Sequence, residues 1–126
     1  MYRKRSQMTS PTWIETDFRI VIGSSGIEYD HSKEAINRRK HGYSLESAAH
    51  YLQRLILPNP RPFFMTSDPT IENGEIRHSH MTLDDDGFVV FFVTTMRSGE
   101  SVRVISLRRA SDNEKELYFS QDKMCG

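Results

Sequence analysis

Between Arg97 and Arg109 the chain reads RSGESVRVISLRR, and four arginines, Arg97, Arg103, Arg108 and Arg109, stand in and around Val102, Val104, Ile105 and Leu107. The apolar residues have a buried strand's composition, and a core strand rarely spends four arginines on packing. Guanidinium is planar, permanently charged and forked, a geometry suited to phosphate. Strict alternation along a strand puts Arg103 and Arg109 on one face with Ile105 and Leu107, and Arg108 on the other beside Val102, Val104 and Ser106. The competing reading is a solvated strand end whose arginines lie over the sheet.

A second polar set precedes it, Tyr29-Asp30-x-x-Lys33-x-x-x-Asn37-x-x-Lys40-His41-Gly42. On a helix, positions 33, 37 and 40 share a face, so Lys33, Asn37 and Lys40 form a row whose plain reading is a solvated side. His41 adds an imidazole at the helix end beside a lysine, suited to exchanging protons near neutral pH, although a histidine there can also be structural. His78-x-His80 sets two imidazoles on one strand face, but no third ligand stands at a recognisable metal-binding spacing. Asp84-Asp85-Asp86-Gly87 lacks the spacing and the later Glu of a calcium loop and reads as a hairpin turn. Neither a metal nor a cofactor is expected.

These residues must be positioned by a single domain, since 126 residues suffice for one modest core. Seventeen Lys plus Arg cancel seventeen Asp plus Glu, which excludes a uniformly basic nucleic-acid binder. The charge is nevertheless sorted: the acidic stretch 68–86 separates a basic stretch at 28–61 from the arginines at 97–109, and the fold can bring the basic ones together. The one cysteine, Cys125, allows no intramolecular disulfide, and no apolar run is long enough to span a bilayer. A soluble, cytoplasmic protein without a membrane partner is expected.

Residues 1–26 read as an N-terminal extension, an arm or an extra strand, with Trp13 its one tryptophan and Phe18 to Ile22 its strand-like run; after the Gly23 to Gly26 turn, Ile27 to Tyr29 reads as a second short strand. Asp30 is suited to cap a helix that runs to Gly42, and Ser44 a second one with Leu45, Ala48, Ala49, Leu52, Leu55 and Ile56 along one stripe. Pro58, Pro60, Pro62 and Pro69 predict an irregular connection over 57–74. Three strands are expected at about 75–83, 88–96 and 101–107, the middle one central because Phe88 to Val93 is almost wholly apolar. Ser111 and Glu114 form a capping box for a last helix from Asp112 to about Ser120, with residues 121–126 a flexible tail. The expected fold is α+β: two N-terminal helices, an antiparallel sheet of three to four strands and a C-terminal helix.

Taken together, Tyr29-Asp30-x-x-Lys33, Lys40-His41-Gly42-Tyr43-Ser44, Glu75-x-Arg77, Arg97 and Arg103-x-Ile105-Ser106-x-Arg108-Arg109-Ala110, closed by Glu114 and Tyr118, form a recognisable series. The series resembles the BrnT family of ribonuclease toxins over residues 27 to 118, with the motifs in family order. The resemblance implies a RelE-like fold at 27–120 and a metal-independent ribonuclease that cuts messenger RNA and so inhibits translation. It also implies a ribbon-helix-helix antitoxin, in a hetero-oligomer with at least two toxin chains that binds DNA only through the antitoxin. His41, Arg77, Arg97, Arg108 and Arg109 would match the family's functional positions. Where the family usually has Trp, this chain has Tyr29, which keeps an aromatic face.

Cutting RNA without metal uses the 2′-hydroxyl as nucleophile and needs a base, an acid and cations around the crowded phosphate. Arginine cannot be the base. His41 is therefore the preferred proton carrier, with Lys40 second; Arg97, Arg108 and Arg109 would hold the phosphate. Tyr29 would stack a base, and Lys33, Arg77 and Arg103 complete the RNA-binding set. The alternative is a non-catalytic binding module of the same fold, holding protein or RNA. A repressor acting alone is a remoter reading, because no helix-turn-helix spacing is present.

Overall fold

The structure, a computed structural model, describes residues 27–56, 61–96 and 102–125. The expected N-terminal extension with Trp13, and the turn carrying Arg97, Ser98 and Gly99, lie outside the described residues. In chain order the elements are β1 (Ile27–Tyr29), α1 (His31–His41), α2 (Leu45–Leu52) running into a 3-10 turn (Gln53–Ile56), β2 (Met65–Thr66), β3 (Thr70–Glu72), β4 (Glu75–Leu83), β5 (Val89–Met96), β6 (Val102–Arg109) and α3 (Asp112–Cys125). The fold is α+β. The helix boundaries follow their caps. Asp30 accepts from the Ser32 N–H at 3.0 Å, Gly42 closes α1 in the left-handed region at φ 78°, and Ser44 accepts from the Glu46 N–H at 3.2 Å. At α3 Ser111 and Glu114 exchange reciprocal bonds of 2.8 and 3.3 Å.

Several expectations are corrected. The sheet is mixed and wider than three or four strands: its order is β1-β6-β5-β4-β2, with β3 also on β4, and β1 runs parallel to β6. A parallel partner is reached only through a long crossover, so local sequence pattern does not reveal it. The stretch 57–74 is not irregular throughout, because β2 and β3 form there on β4. Helix α3 continues past Ser120 to Cys125, so residues 121–125 are helical instead of a tail.

The most consequential correction lies in β6. Val93 faces Ser106 while Thr94 faces Val104, so Ile105 is an extra residue that bulges the strand. Beyond a bulge the alternation changes phase. Val102, Val104 and Leu107 therefore all enter the core on one face, where they are fully buried, and Arg109 follows them. Arg103 and Arg108 share the opposite face, opposite Thr95 and Phe91, so Arg103 and Arg109 do not point the same way.

Helix α2 covers the first face with Leu45, Ala48, Tyr51 and Leu52 against Phe64, Val90, Phe92 and the buried residues of β6. Helix α3 covers the other with Tyr118 against Met81 and Val89. Each such fully buried aliphatic or aromatic side chain contributes about 1.5–3 kcal/mol. Helix α1 has almost nothing of this kind to offer, and its Ile36 is 47 % exposed. Polar bonds hold it instead. Asn37, 5 % exposed, donates to the Leu107 carbonyl at 2.8 Å and the Tyr43 carbonyl at 3.0 Å, and accepts from the Leu107 N–H at 3.1 Å. Strand β1 has ended by Tyr29, so the Asn37 amide supplies the ladder bonds that a longer β1 would have made to Leu107. Asn37 is thus not a member of a solvated row. Glu34 anchors the next helix, accepting from the Leu45 N–H and the Ser44 hydroxyl at 2.7 Å each, while pairing with Arg38 at 3.0 Å.

Under α2, His80 is enclosed between Phe64 and Phe92, its ring nitrogens 3.1 Å from the Thr66 and 2.8 Å from the Thr94 hydroxyl, with His78 stacked at 6.2 Å. The pair is core. Among the described residues no group of three or more His, Cys, Asp or Glu is arranged to hold a metal ion.

Two outcomes follow. Asn37→Ala leaves the buried Leu107 N–H and carbonyl without their partner, at about 1–3 kcal/mol for each such group, so the urea midpoint falls by the equivalent of about 2–4 kcal/mol with the slope unchanged. Burial holds both imidazoles below their ordinary value, His80 well below, with its neighbour His78 adding to the effect and Asp68 partly opposing it at His78. The unfolded chain then binds more protons once the pH drops below about 6.5, so stability is lost on acidification through the histidine range. Melting temperatures at about pH 7.5 and about pH 5.5 will show the loss, and His80→Gln will shrink it. Glu34 cannot mimic this: burial would raise its carboxyl, but bonds from Ser44, Leu45 and Arg38 hold it below the usual range, so its contribution fades only in stronger acid.

Candidate active site

The C-terminal end of α1, the turn into α2, the β4–β5 hairpin and the end of β6 enclose a cleft of about 580 Å³ lined by Lys40, His41, Gly42, Tyr43, Asp84, Asp86, Arg108 and Arg109. The left-handed Gly42 turns the chain so that Lys40 and His41 stand exposed at the helix end, where cations also suit the macrodipole. Asp84 builds the opposite wall. Its backbone closes the hairpin with Phe88 and Gly87 at 2.8 and 3.1 Å, and its Oδ1 accepts from the Asp86 and Phe88 N–H groups at 2.9 Å each. The acidic stretch of the sequence therefore lines the cleft along with the basic ones.

The two adjacent arginines are held in opposite ways. Arg108 grips Glu114 of α3 with both arms of its fork, Nη1 to Oε1 at 2.8 Å and Nη2 to Oε2 at 3.0 Å, and lies over the Phe91 ring at 4.3 Å. This bond, with help from Ser111 and against the effect of burial, holds the Glu114 carboxyl below the usual range. Arg109 lies over the Phe88 ring at 3.8 Å and donates its Nε–H to the Tyr43 hydroxyl at 3.2 Å, which in turn donates to Asp84 Oδ2 at 2.9 Å. Burial above all, and then Asp84, raise the Tyr43 hydroxyl above its ordinary value while Arg109 pulls it down. Among the described residues no ion pair engages the Arg109 guanidinium.

Of the residues singled out from the sequence, Lys40, His41, Arg108 and Arg109 meet in this cleft, and Arg97 lies outside the described residues. The others stand elsewhere. Tyr29 and Lys33 are at the opposite end of α1, with the Tyr29 ring packed against the core and 4.5 Å from His31. Arg77 on β4 pairs with Glu72 and Glu75 at 3.5 and 3.9 Å, and Arg103 pairs with Glu28 of the neighbouring strand at 3.7 Å. Sequence reading had no basis for placing Tyr43, Asp84 and Phe88 at the site. Tyr43 entered only as part of a motif run, Asp84 as one of three aspartates in a turn, and Phe88 as strand core, although it is 46 % exposed.

A family model described as "Ribonuclease toxin, BrnT, of type II toxin-antitoxin system" matches residues 29–114, a span that includes every residue of the cleft. Among solved structures, the 1.1 Å crystal structure of the Brucella abortus ribonuclease toxin BrnT is similar at 17 % identity and a TM-score of 0.49, over 68 % of this chain and 96 % of that one. No curated protein matches. No helix among the described residues is long and apolar enough to cross a membrane.

The contrast between the arginines predicts separable losses. Arg108→Ala removes the bidentate partner of Glu114 and lowers stability by about 1 kcal/mol after allowance for its partial exposure. Arg109→Ala, on an exposed side chain, shifts the urea midpoint less than Arg108→Ala does. An Arg108→Ala midpoint equal to that of the wild type would show that the Arg108–Glu114 bridge contributes nothing to the fold.

Proposed function

This chain belongs to the BrnT family of ribonuclease toxins of type II toxin–antitoxin systems, and from that premise we propose that it is a metal-independent ribonuclease whose site is the cleft at the end of α1 and β6. The observation that carries the reading is the meeting of an amine and an imidazole, Lys40 and His41, with Arg109, whose fork is open to a ligand. In the proposed reaction His41 takes the proton of the 2′-hydroxyl, the O2′–P bond forms and the bond from phosphorus to the 5′-oxygen breaks. Lys40, an ammonium on the same turn, returns a proton to that oxygen. Arg109 and Arg97 stabilise the phosphate charge that builds up between these steps. Arg108 acts from behind the strand, tying β6 to α3, and reaches the cleft as part of its wall. Tyr29, Lys33, Arg77 and Arg103 are read as an outer RNA track remote from the chemistry.

The family's system implies an antitoxin partner. We read that partner as a ribbon-helix-helix protein in an assembly with at least two copies of this chain, binding DNA on their behalf. The fold is read as RelE-like, with residues 1–26 an addition to it, and the setting as the cytoplasm. One alternative is favoured by Asp84 and Asp86 in the cleft: a binding module that takes a protein segment of mixed charge in place of RNA.

Purified protein freed of any partner is expected to cut RNA in EDTA, and His41→Ala, Arg97→Ala and Arg109→Ala to slow the cut by about 10²- to 10³-fold while remaining folded. His41→Ala and Arg109→Ala variants that cut like the wild type would remove the cleft from the mechanism. A folded wild type that leaves RNA intact selects the binding module.

A further inference from the structure

An arginine near the end of a strand, exposed and on a long side chain, ordinarily samples many rotamers, and a phosphate must then order it at the moment of binding. Arg109 does not have that freedom. Its guanidinium plane rests on Phe88 at 3.8 Å, and its edge is fixed by the bond from Nε to the Tyr43 hydroxyl at 3.2 Å. Both supports trace to one buried carboxylate: Asp84 Oδ2 accepts the Tyr43 hydroxyl at 2.9 Å, and Oδ1 accepts the Phe88 N–H at 2.9 Å. Each direction is dictated by the groups themselves. Arginine can only donate, so the Tyr43 oxygen receives Arg109 and its single proton goes to Asp84 Oδ2.

Resting on the ribonuclease reading of the cleft, we propose that Tyr43 is a positioning residue for RNA cleavage. Held by Asp84, it presets the Arg109 guanidinium so that the two Nη groups are left to grasp the scissile phosphate. Its proton is committed to Asp84, so Tyr43 is neither the acid nor the base of the reaction. A group preset in this way costs little to order in the transition state, whereas a displaced one forfeits a large part of its effect. The role is separate from packing, because a phenylalanine at position 43 keeps the ring and removes only the link.

The test is a double-mutant cycle in single-turnover RNA cleavage with wild type, Tyr43→Phe, Arg109→Ala and the double variant, accompanied by nitrogen-15 NMR of the arginine Nε–H groups. Tyr43→Phe is expected to slow the cut by about 10- to 100-fold with a much smaller change in RNA affinity, and to cost nothing further once Arg109 is alanine. The Arg109 Nε–H signal should be protected from exchange in the wild type and lose that protection in Tyr43→Phe. Equal losses in the two backgrounds, or a protected signal that survives the substitution, would overturn the proposal. A wild type that does not cut RNA sinks the ribonuclease reading on its own, while the Nε–H signal still decides whether Tyr43 holds Arg109.

Discussion

Everything at the cleft depends on how a helix without an apolar face is kept on the sheet. Helix α1 docks through the side-chain amide of Asn37, which completes the ladder of β6 at Leu107 where β1 has run out, and through the Asp30 N–H, which donates to the Val104 carbonyl at 2.9 Å. Hydrogen bonds are directional, so this mode of attachment fixes both the rotation of the helix and its position along the strand more narrowly than greasy contact would. The third Asn37 bond, to the Tyr43 carbonyl, carries the same constraint around the Gly42 turn. One amide thereby places the end of α1 beside the end of β6.

The charges of the molecule are arranged by consumption. Its net charge is zero, yet the cations are not spent evenly. Arg38, Arg77, Arg103 and Arg108 each have a carboxylate partner, and most of these pairs do structural work: Glu34 caps α2, Glu114 caps α3, and Glu28 joins β1 to β6. Asp84 is occupied by the hairpin and by Tyr43. The Asp84 carboxylate in the cleft is thus already engaged by internal donors, which moderates its repulsion of an anion. A neutral chain can in this way offer a locally cationic cleft.

What the sequence disclosed and what it concealed divide along the range of the interactions. The caps at Asp30, Gly42, Ser44 and Ser111 act over three or four residues, and the helix starts, together with the end of α1 at Gly42, are those observed. The three-strand meander was legible for the same reason, from alternation and turn residues, with β5 in the middle. Strand β1 was legible at Ile27 to Tyr29, but its parallel pairing, the part played by Asn37 and the bulge at Ile105 depend on partners far along the chain, and no local period announces them. The bulge has the larger effect on the site, since it reverses which arginines share a face. Lys40, His41, Arg108 and Arg109 were found together because both the chemistry and the motif run pointed at them. Tyr43 and Phe88 were not, because an aromatic residue near a turn carries no mark of the arginine it supports.

The sequence separation of 70 between Asn37 and Leu107 also sets an order of events. Contacts so distant in sequence are made late, after the intervening loop has been closed. Until β6 has followed β4 and β5, helix α1, with Lys40 and His41 at its end, lacks the Leu107 and Val104 groups that Asn37 and the Asp30 N–H engage. The cleft, whose wall includes Arg108 and Arg109, therefore forms only once β6 has joined the sheet.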